Sequence, residues 1–442
     1  MSTRLSRHTL LLLISNAGGA ALSFALTVLI ARMHGEEGLG AYAVALAWIF
    51  PLSMLVDFGL ASLATRDVAQ LPATGSAYLE AMAVQRIVVG GLVAAALIAS
   101  APLLASEPAA VAGLIVSAPL VVILPLYSSF TAVFKALGAM WPIPWLNIGM
   151  LAAQVGLTAL VFAHGGSVVE ALAVNTCTSF GQLVAAWALW RVYFARRVKR
   201  QSHPSPKAQW TRLMRRAWPF ALAALLAAIQ MRSGLILLER LTTTADAGAF
   251  AAANRLVEAA RLIPNAFFGA LFPALASLAG NPNSLRQTFK RALVALSAFG
   301  ITGFAVSLVL AEEMIGLVFG VAFTPAAAIL PPLMLALLFG VLRGAYTLYW
   351  YAQQGENRVN KVNALIIVVQ VALSLWAIPA YGPVGLAGVL VVVEALGLAL
   401  LWRVPELPPA NAELAQTRET AERRFIVEQA VERFRRLYRT FI

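Results

Sequence analysis

Apolar stretches long enough to cross a bilayer recur along almost the whole chain. A spanning helix needs about 20 predominantly apolar residues. Such stretches occupy 10–31, 40–64, 82–104, 110–134, 143–163, 169–192, 217–239, 248–278, 291–311, 326–351, 362–380 and 384–402. The pattern predicts an all-α integral membrane protein with about twelve transmembrane helices and both termini on one side. The first stretch is too long for the apolar part of a signal peptide and lacks a convincing cleavage site, so it reads as a span.

The polar positions between the spans give the orientation. With the N-terminus inside, the inner segments hold 27 of the 33 Lys and Arg residues. The outer loops hold only Arg32 and Arg240, beside acids such as Glu36, Glu37, Glu107, Asp246, Glu312 and Glu313. Basic residues accumulate on the cytoplasmic side of membrane proteins, so the distribution predicts a multi-pass membrane protein with both termini cytoplasmic. The longest inner loop divides the spans six and six. This predicts an N-terminal lobe over 1–193, a basic cytoplasmic linker over 194–216, a C-terminal lobe over 217–403 and a basic tail over 404–442. In the tail, Val427, Val431, Phe434, Tyr438 and Phe441 recur at helical spacing, which predicts an amphipathic helix on the inner membrane surface or on a partner.

Composition narrows the chemistry. The chain is 60% hydrophobic and only 12% charged, with a mean hydropathy of +0.79, whereas a soluble domain carries about a quarter charged residues. The net charge of +13 is then mostly an orientation signal rather than a nucleic-acid surface. One cysteine, Cys177, and four histidines without ligand spacing (His8, His34, His164, His203) offer no disulfide within the chain and no metal centre. Neither a nucleophile elbow nor paired acids on a large outer loop is present, so the chain does not read as an enzyme, and no cofactor is implied beyond a possible coupling ion, H+ or Na+. Arginine outnumbers lysine 28 to 5. The planar guanidinium suits bidentate phosphate recognition, but a GC-rich coding sequence gives the same excess, so individual arginines must carry that argument.

Two segments repeat at an offset of 208 residues. "RMHGEEGLGAYAVA" (32–45) aligns on "RLTTTADAGAFAAA" (240–253), with Arg32 on Arg240, Gly40 on Gly248 and Tyr42 on Phe250. Both join the first and second spans of a six-span half. The two lobes would therefore be related by a pseudo-twofold along the membrane normal, with a substrate site between them near the midplane.

Ionisable residues inside the spans are costly and mark function by default. In "ANRLVEAARLIP" (253–264), Arg255, Glu258 and Arg261 fall within an arc of about 120° on one helix face. Arg232 and Arg343 add positive charge at membrane depth, against the acids Asp57, Glu258 and Glu394. This balance fits a cavity for an anion better than one for a cation, although each acid can instead simply neutralise an arginine, Glu394 above all. Neutral groups at membrane depth, Asn16, Asn147, Gln154, Asn175, Gln182 and Gln370, suit interhelical hydrogen bonds or contacts to a sugar.

Three stretches carry a family resemblance: Ala31-Arg32, Gly40-Ala41-Tyr42, Asp57-Phe58-Gly59-Leu60 and Arg66 in 29–69; the Gly-x-Phe, Asn-Arg-Leu and Leu-Ile-Pro run in 246–276; and "IPAYGPVGLAGVLVVVE" in 378–394. Together they resemble the polysaccharide-export and O-antigen flippases of the multidrug/oligosaccharidyl-lipid/polysaccharide exporter superfamily. The resemblance implies two lobes alternating around a central cavity. It further implies a cargo of oligosaccharide on an undecaprenyl-pyrophosphate carrier, with membrane lipids and polymerases or glycosyltransferases of the same pathway as partners. On that basis Arg232, Arg255 and Arg261 would bind the pyrophosphate, assisted by Arg343. Asp57, Glu258, Asn16 and Glu394 would support the cavity or couple to an ion. Relatives often place Asp after the span-7 arginine, where this chain has Ser233. The alternatives are a cation antiporter of the multidrug-extrusion type and a non-transporting scaffold of a glycan-assembly complex.

Overall fold

The computed structural model describes residues 2–194, 206–278, 282–353 and 355–402. The tail expected over 404–442 lies outside these residues, as does the first part of the linker expected over 194–216. The remainder of that linker, from Pro206, is already helix.

Twelve α-helices make up the described chain, joined by short turns and 3-10 segments, with no strand among the described residues. In order they are α1 (Ser2–Asp57), α2 (Leu60–Gln70), α3 (Gly75–Leu104), α4 (Pro108–Ser117), α5 (Leu120–Ala136), α6 (Pro142–Ala163), α7 (Val168–Leu189), α8 (Pro206–Leu241), α9 (Thr244–Ser277), α10 (Pro282–Phe319), α11 (Leu330–Ala352) and α12 (Glu356–Trp402). Nine stretches among the described residues are long and apolar enough to cross a membrane. Two of them, α1 and α12, each hold two spans. They are broken at Gly35 and Gly382, where positive φ angles of 66° and 55° turn the chain back. With α8 the total reaches twelve, so the fold is an integral membrane protein with two bundles of six spans.

Large apolar side chains such as Leu92, Leu103, Val309, Val368 and Trp376 stand outward and more than half exposed. In water that much apolar surface would drive aggregation; in lipid it is the solvated face. Polar groups turn inward instead.

The deepest of these groups is Arg86 on α3, fully buried. Its Nη2 donates to Asp57 Oδ1 at 2.5 Å, and its Nη1 donates to the Pro125 carbonyl and Ser129. Ser128 donates to the same Asp57 oxygen at 2.7 Å. Asp57 ends α1 where Phe58 and Gly59 take positive φ, so the ion pair fixes a chain break against α3 and α5. Here the sequence reading needs one correction: Arg86, one of the 27 basic residues assigned to inner segments, is a buried structural residue. Asp57 holds that arginine in place, the pairing role open to each embedded acid, and does not line the central cavity.

Breaking a buried pair leaves an uncompensated charge, at a cost of about 3–5 kcal/mol. Asp57→Ala or Arg86→Met alone should lower the melting temperature in detergent markedly. The double variant should recover much of the loss, a coupling that a thermal-shift double-mutant cycle measures directly.

Candidate functional site

The two bundles enclose a cavity of about 400 Å³. Its walls come from α1, α5, α6 and α7 on one side and α8, α9 and α12 on the other. Its ionisable lining consists of Arg232, Arg255 and Glu258, with Tyr42 the other titratable group. Two positive charges against one negative leave the lining at +1.

Helix geometry sets the depth of these charges. Arg255 lies eleven residues into α9 and Arg232 nine residues before the end of α8, so at 1.5 Å per residue both sit about 14–16 Å from the 242–244 turn. That is half the thickness of a hydrocarbon layer of about 30 Å. The first turns of α9 are covered by protein rather than laid on a lipid surface. Ala247, Gly248, Ala249, Phe250, Ala252 and Ala253 are buried, and α1 is the helix α9 packs against most extensively.

Within the cavity Arg255 bridges the halves. Its Nη1 pairs with Glu258 Oε2 at 2.6 Å, while its Nη2 donates to the Ser23 carbonyl of α1 at 2.8 Å and to the Ser23 hydroxyl. Asn254 steadies the other Glu258 oxygen at 3.2 Å. Arg232 differs. It has no carboxylate within ion-pair distance among the described residues, its buried Nε has no hydrogen-bond partner, and its guanidinium rests 5.3 Å from the Phe50 ring. Cation–π contact orients such a group without neutralising it.

The opposite wall is polar and neutral. Gln154 donates to Tyr42 Oη at 3.1 Å, and Asn175 and Ser179 line the space beside them. Gln370 also faces it, holding the Gln230 carbonyl of α8 at 3.0 Å. Asn147 and Gln182 bond each other and Tyr127 outside the lining. Asn16 lies in α1 where side chains fall outside the described residues.

Two expected anion-binding arginines lie elsewhere. Arg343 makes a two-pronged pair with Glu394, at 2.6 and 3.1 Å, and a third bond to Asn363. This ties α11 to α12 and uses up both charges. Arg261 is exposed and does not line the cavity. Six residues at about 100° each put it 120° from Arg255, on the far edge of the arc, so Arg255 meets the cavity while Arg261 faces away. Residues that the charge pattern did not single out are Ser23 and Tyr42 in the lining and Phe50, which contacts Arg232 from outside it; of these, Tyr42 alone carried a signal, in its Gly-Ala-Tyr motif.

A search of curated proteins finds no match. The family model described as polysaccharide biosynthesis protein matches residues 5–279, more than half of the chain, and the protein belongs to that family. Among solved structures, the lipid II flippase MurJ in an inward closed conformation is similar with a TM-score of 0.72 at 14% identity, covering 88% of this chain and 86% of its own. An inward-facing multidrug resistance MATE family transporter of the MOP superfamily gives 0.70 at 15% identity, covering 87% and 92%. A MOP superfamily transporter from Pyrococcus furiosus gives 0.60 at 13% identity, covering 90% and 92%. The fold is that of the MOP superfamily.

The arginines should separate by role. A charge-assisted hydrogen bond contributes about 1.5–3 kcal/mol, or roughly 10–100-fold in affinity. Arg232→Gln should weaken binding of an anionic probe such as inorganic pyrophosphate to the cavity by that factor, with little change in melting temperature. Arg343→Met should do the reverse, and native mass spectrometry alongside thermal shift reads both.

Proposed function

We propose that the protein is a flippase that carries a lipid-linked oligosaccharide or polysaccharide precursor across the bacterial inner membrane by alternating access. The observation that carries this reading is the guanidinium of Arg232, held at membrane depth in a cavity of net charge +1 with no carboxylate among the described residues paired to it. A desolvated pyrophosphate needs charge-assisted donors, and Arg232 is free to supply them. Arg255 lies beside it, already oriented by Glu258 and Ser23, and can exchange one of those partners for a phosphate oxygen. The neutral wall of Tyr42, Gln154, Asn175 and Ser179 offers hydrogen bonds of either polarity to sugar hydroxyls. The lipid tail stays in the bilayer.

The assignment to the polysaccharide biosynthesis family supports this cargo. A cation antiporter fits less well, because the one carboxylate in the lining is neutralised by Arg255. Lipid-linked carrier and glycan would enter from the side bearing the termini, and the bias of Lys and Arg toward that side supports a cytoplasmic entry.

Reconstituted in liposomes, the protein should move a fluorescent undecaprenyl-pyrophosphate oligosaccharide between leaflets. Arg232→Glu and Arg255→Glu should each abolish that movement while the variants remain folded and monodisperse. Full transport by both variants would rule out the assignment.

A further inference from the structure

At one crossing the two bundles meet backbone to backbone. A Cβ placed on Gly40 would collide with the carbonyl of Thr244, and one placed on Gly248 would collide with the carbonyl of Glu36. Neither collision is with a flexible side chain that could swing aside. The two are the same contact. The 208-residue offset that aligns Gly40 with Gly248 also aligns Glu36 with Thr244, so Gly40–Thr244 becomes Gly248–Glu36 when the halves are exchanged. That reciprocity is the signature of a contact lying on a twofold axis. Small residues permit such backbone approach between membrane helices, and Ala41, Ala45, Ala249 and Ala253 continue the thin surface on either side, all buried.

A second pair of contacts follows the exchange at the level of spans. Arg32, at the end of the first span, donates to the Val318 carbonyl at 2.9 Å and to that of Leu317. These are the last carbonyls of α10, the third span of the other half, where cations are favoured by the helix dipole. Arg240, its repeat mate at the end of the seventh span, reaches Ser106 just past α3, the third span of the first half. The neighbouring buried Glu239 accepts from the Ser106 amide at 2.7 Å. Each half thus straps the third span of the other. Acids oppose this closure: burial, and then the charge of Asp246, push the Glu36 carboxyl above its ordinary range.

We propose that segments 36–40 and 244–248 form a twofold gate that seals the cavity at this face, with Gly40 and Gly248 as its seam and Arg32 and Arg240 as its straps. Opening then separates both glycine contacts and both straps together, because each copy of the motif holds the other. The inference concerns the two-lobed fold and holds whatever the cargo.

The test places a reporter in the cavity. In a Cys177→Ala background, Ser179→Cys is labelled with a membrane-impermeant maleimide applied only to the face carrying the 36–40 turn. Gly40→Ala and Gly248→Ala should each raise the labelling rate several-fold, by similar factors. The double variant Arg32→Gln/Arg240→Gln, which introduces no steric clash, should raise it as well, and it decides the matter if the glycine variants do not fold. Unchanged labelling in folded variants, or a rise confined to one glycine, would overturn the gate.

Discussion

An unpaired charge is expensive in a low-dielectric layer, and the arrangement of this protein follows from how that cost is met. Each of three carboxylates at membrane depth holds an arginine: Asp57 with Arg86, Glu258 with Arg255, Glu394 with Arg343. Two of these pairs are internal to one bundle and fasten helices whose apolar faces, packed in lipid, gain little from further burial. The third lies along α9, and its arginine reaches across the centre to Ser23 of α1. Arg232 and Arg261 remain; Arg261 is exposed, whereas Arg232 lines the cavity and gives it its character. Were Arg232 paired with a carboxylate of its own, it would form a fourth structural pair and would offer an anion nothing.

The spans were legible because bilayer thickness imposes a minimum run of apolar residues, and the basic loops between them were legible because orientation is written in Lys and Arg. What pattern alone could not give was partnership. Asp57 and Arg86 lie 29 residues apart and meet only because α1 ends on the left-handed pair Phe58 and Gly59. Arg86, four residues into its span, reads as a loop charge until α5 is seen to close over it. Periodicity placed Arg255, Glu258 and Arg261 on one face, yet a face 120° wide borders both the cavity and its surroundings, and the linear sequence does not say where the boundary falls.

The repeat was visible as a faint alignment of arginine, glycine and alanine. Its meaning lies in three dimensions: duplicated segments that cross on an axis must be thin at the same position in both copies. That is why Gly40 and Gly248 survive in segments that otherwise share little beyond small residues. The duplicated segments meet each other, while the cavity walls beneath them have diverged into one that is charged and one that is neutral.

An uncompensated guanidinium in a space that water can enter does not stay alone. A mobile counter-anion is drawn into the field of Arg232, so binding of any anion in this cavity is an exchange of one anion for another, weakened as ionic strength rises.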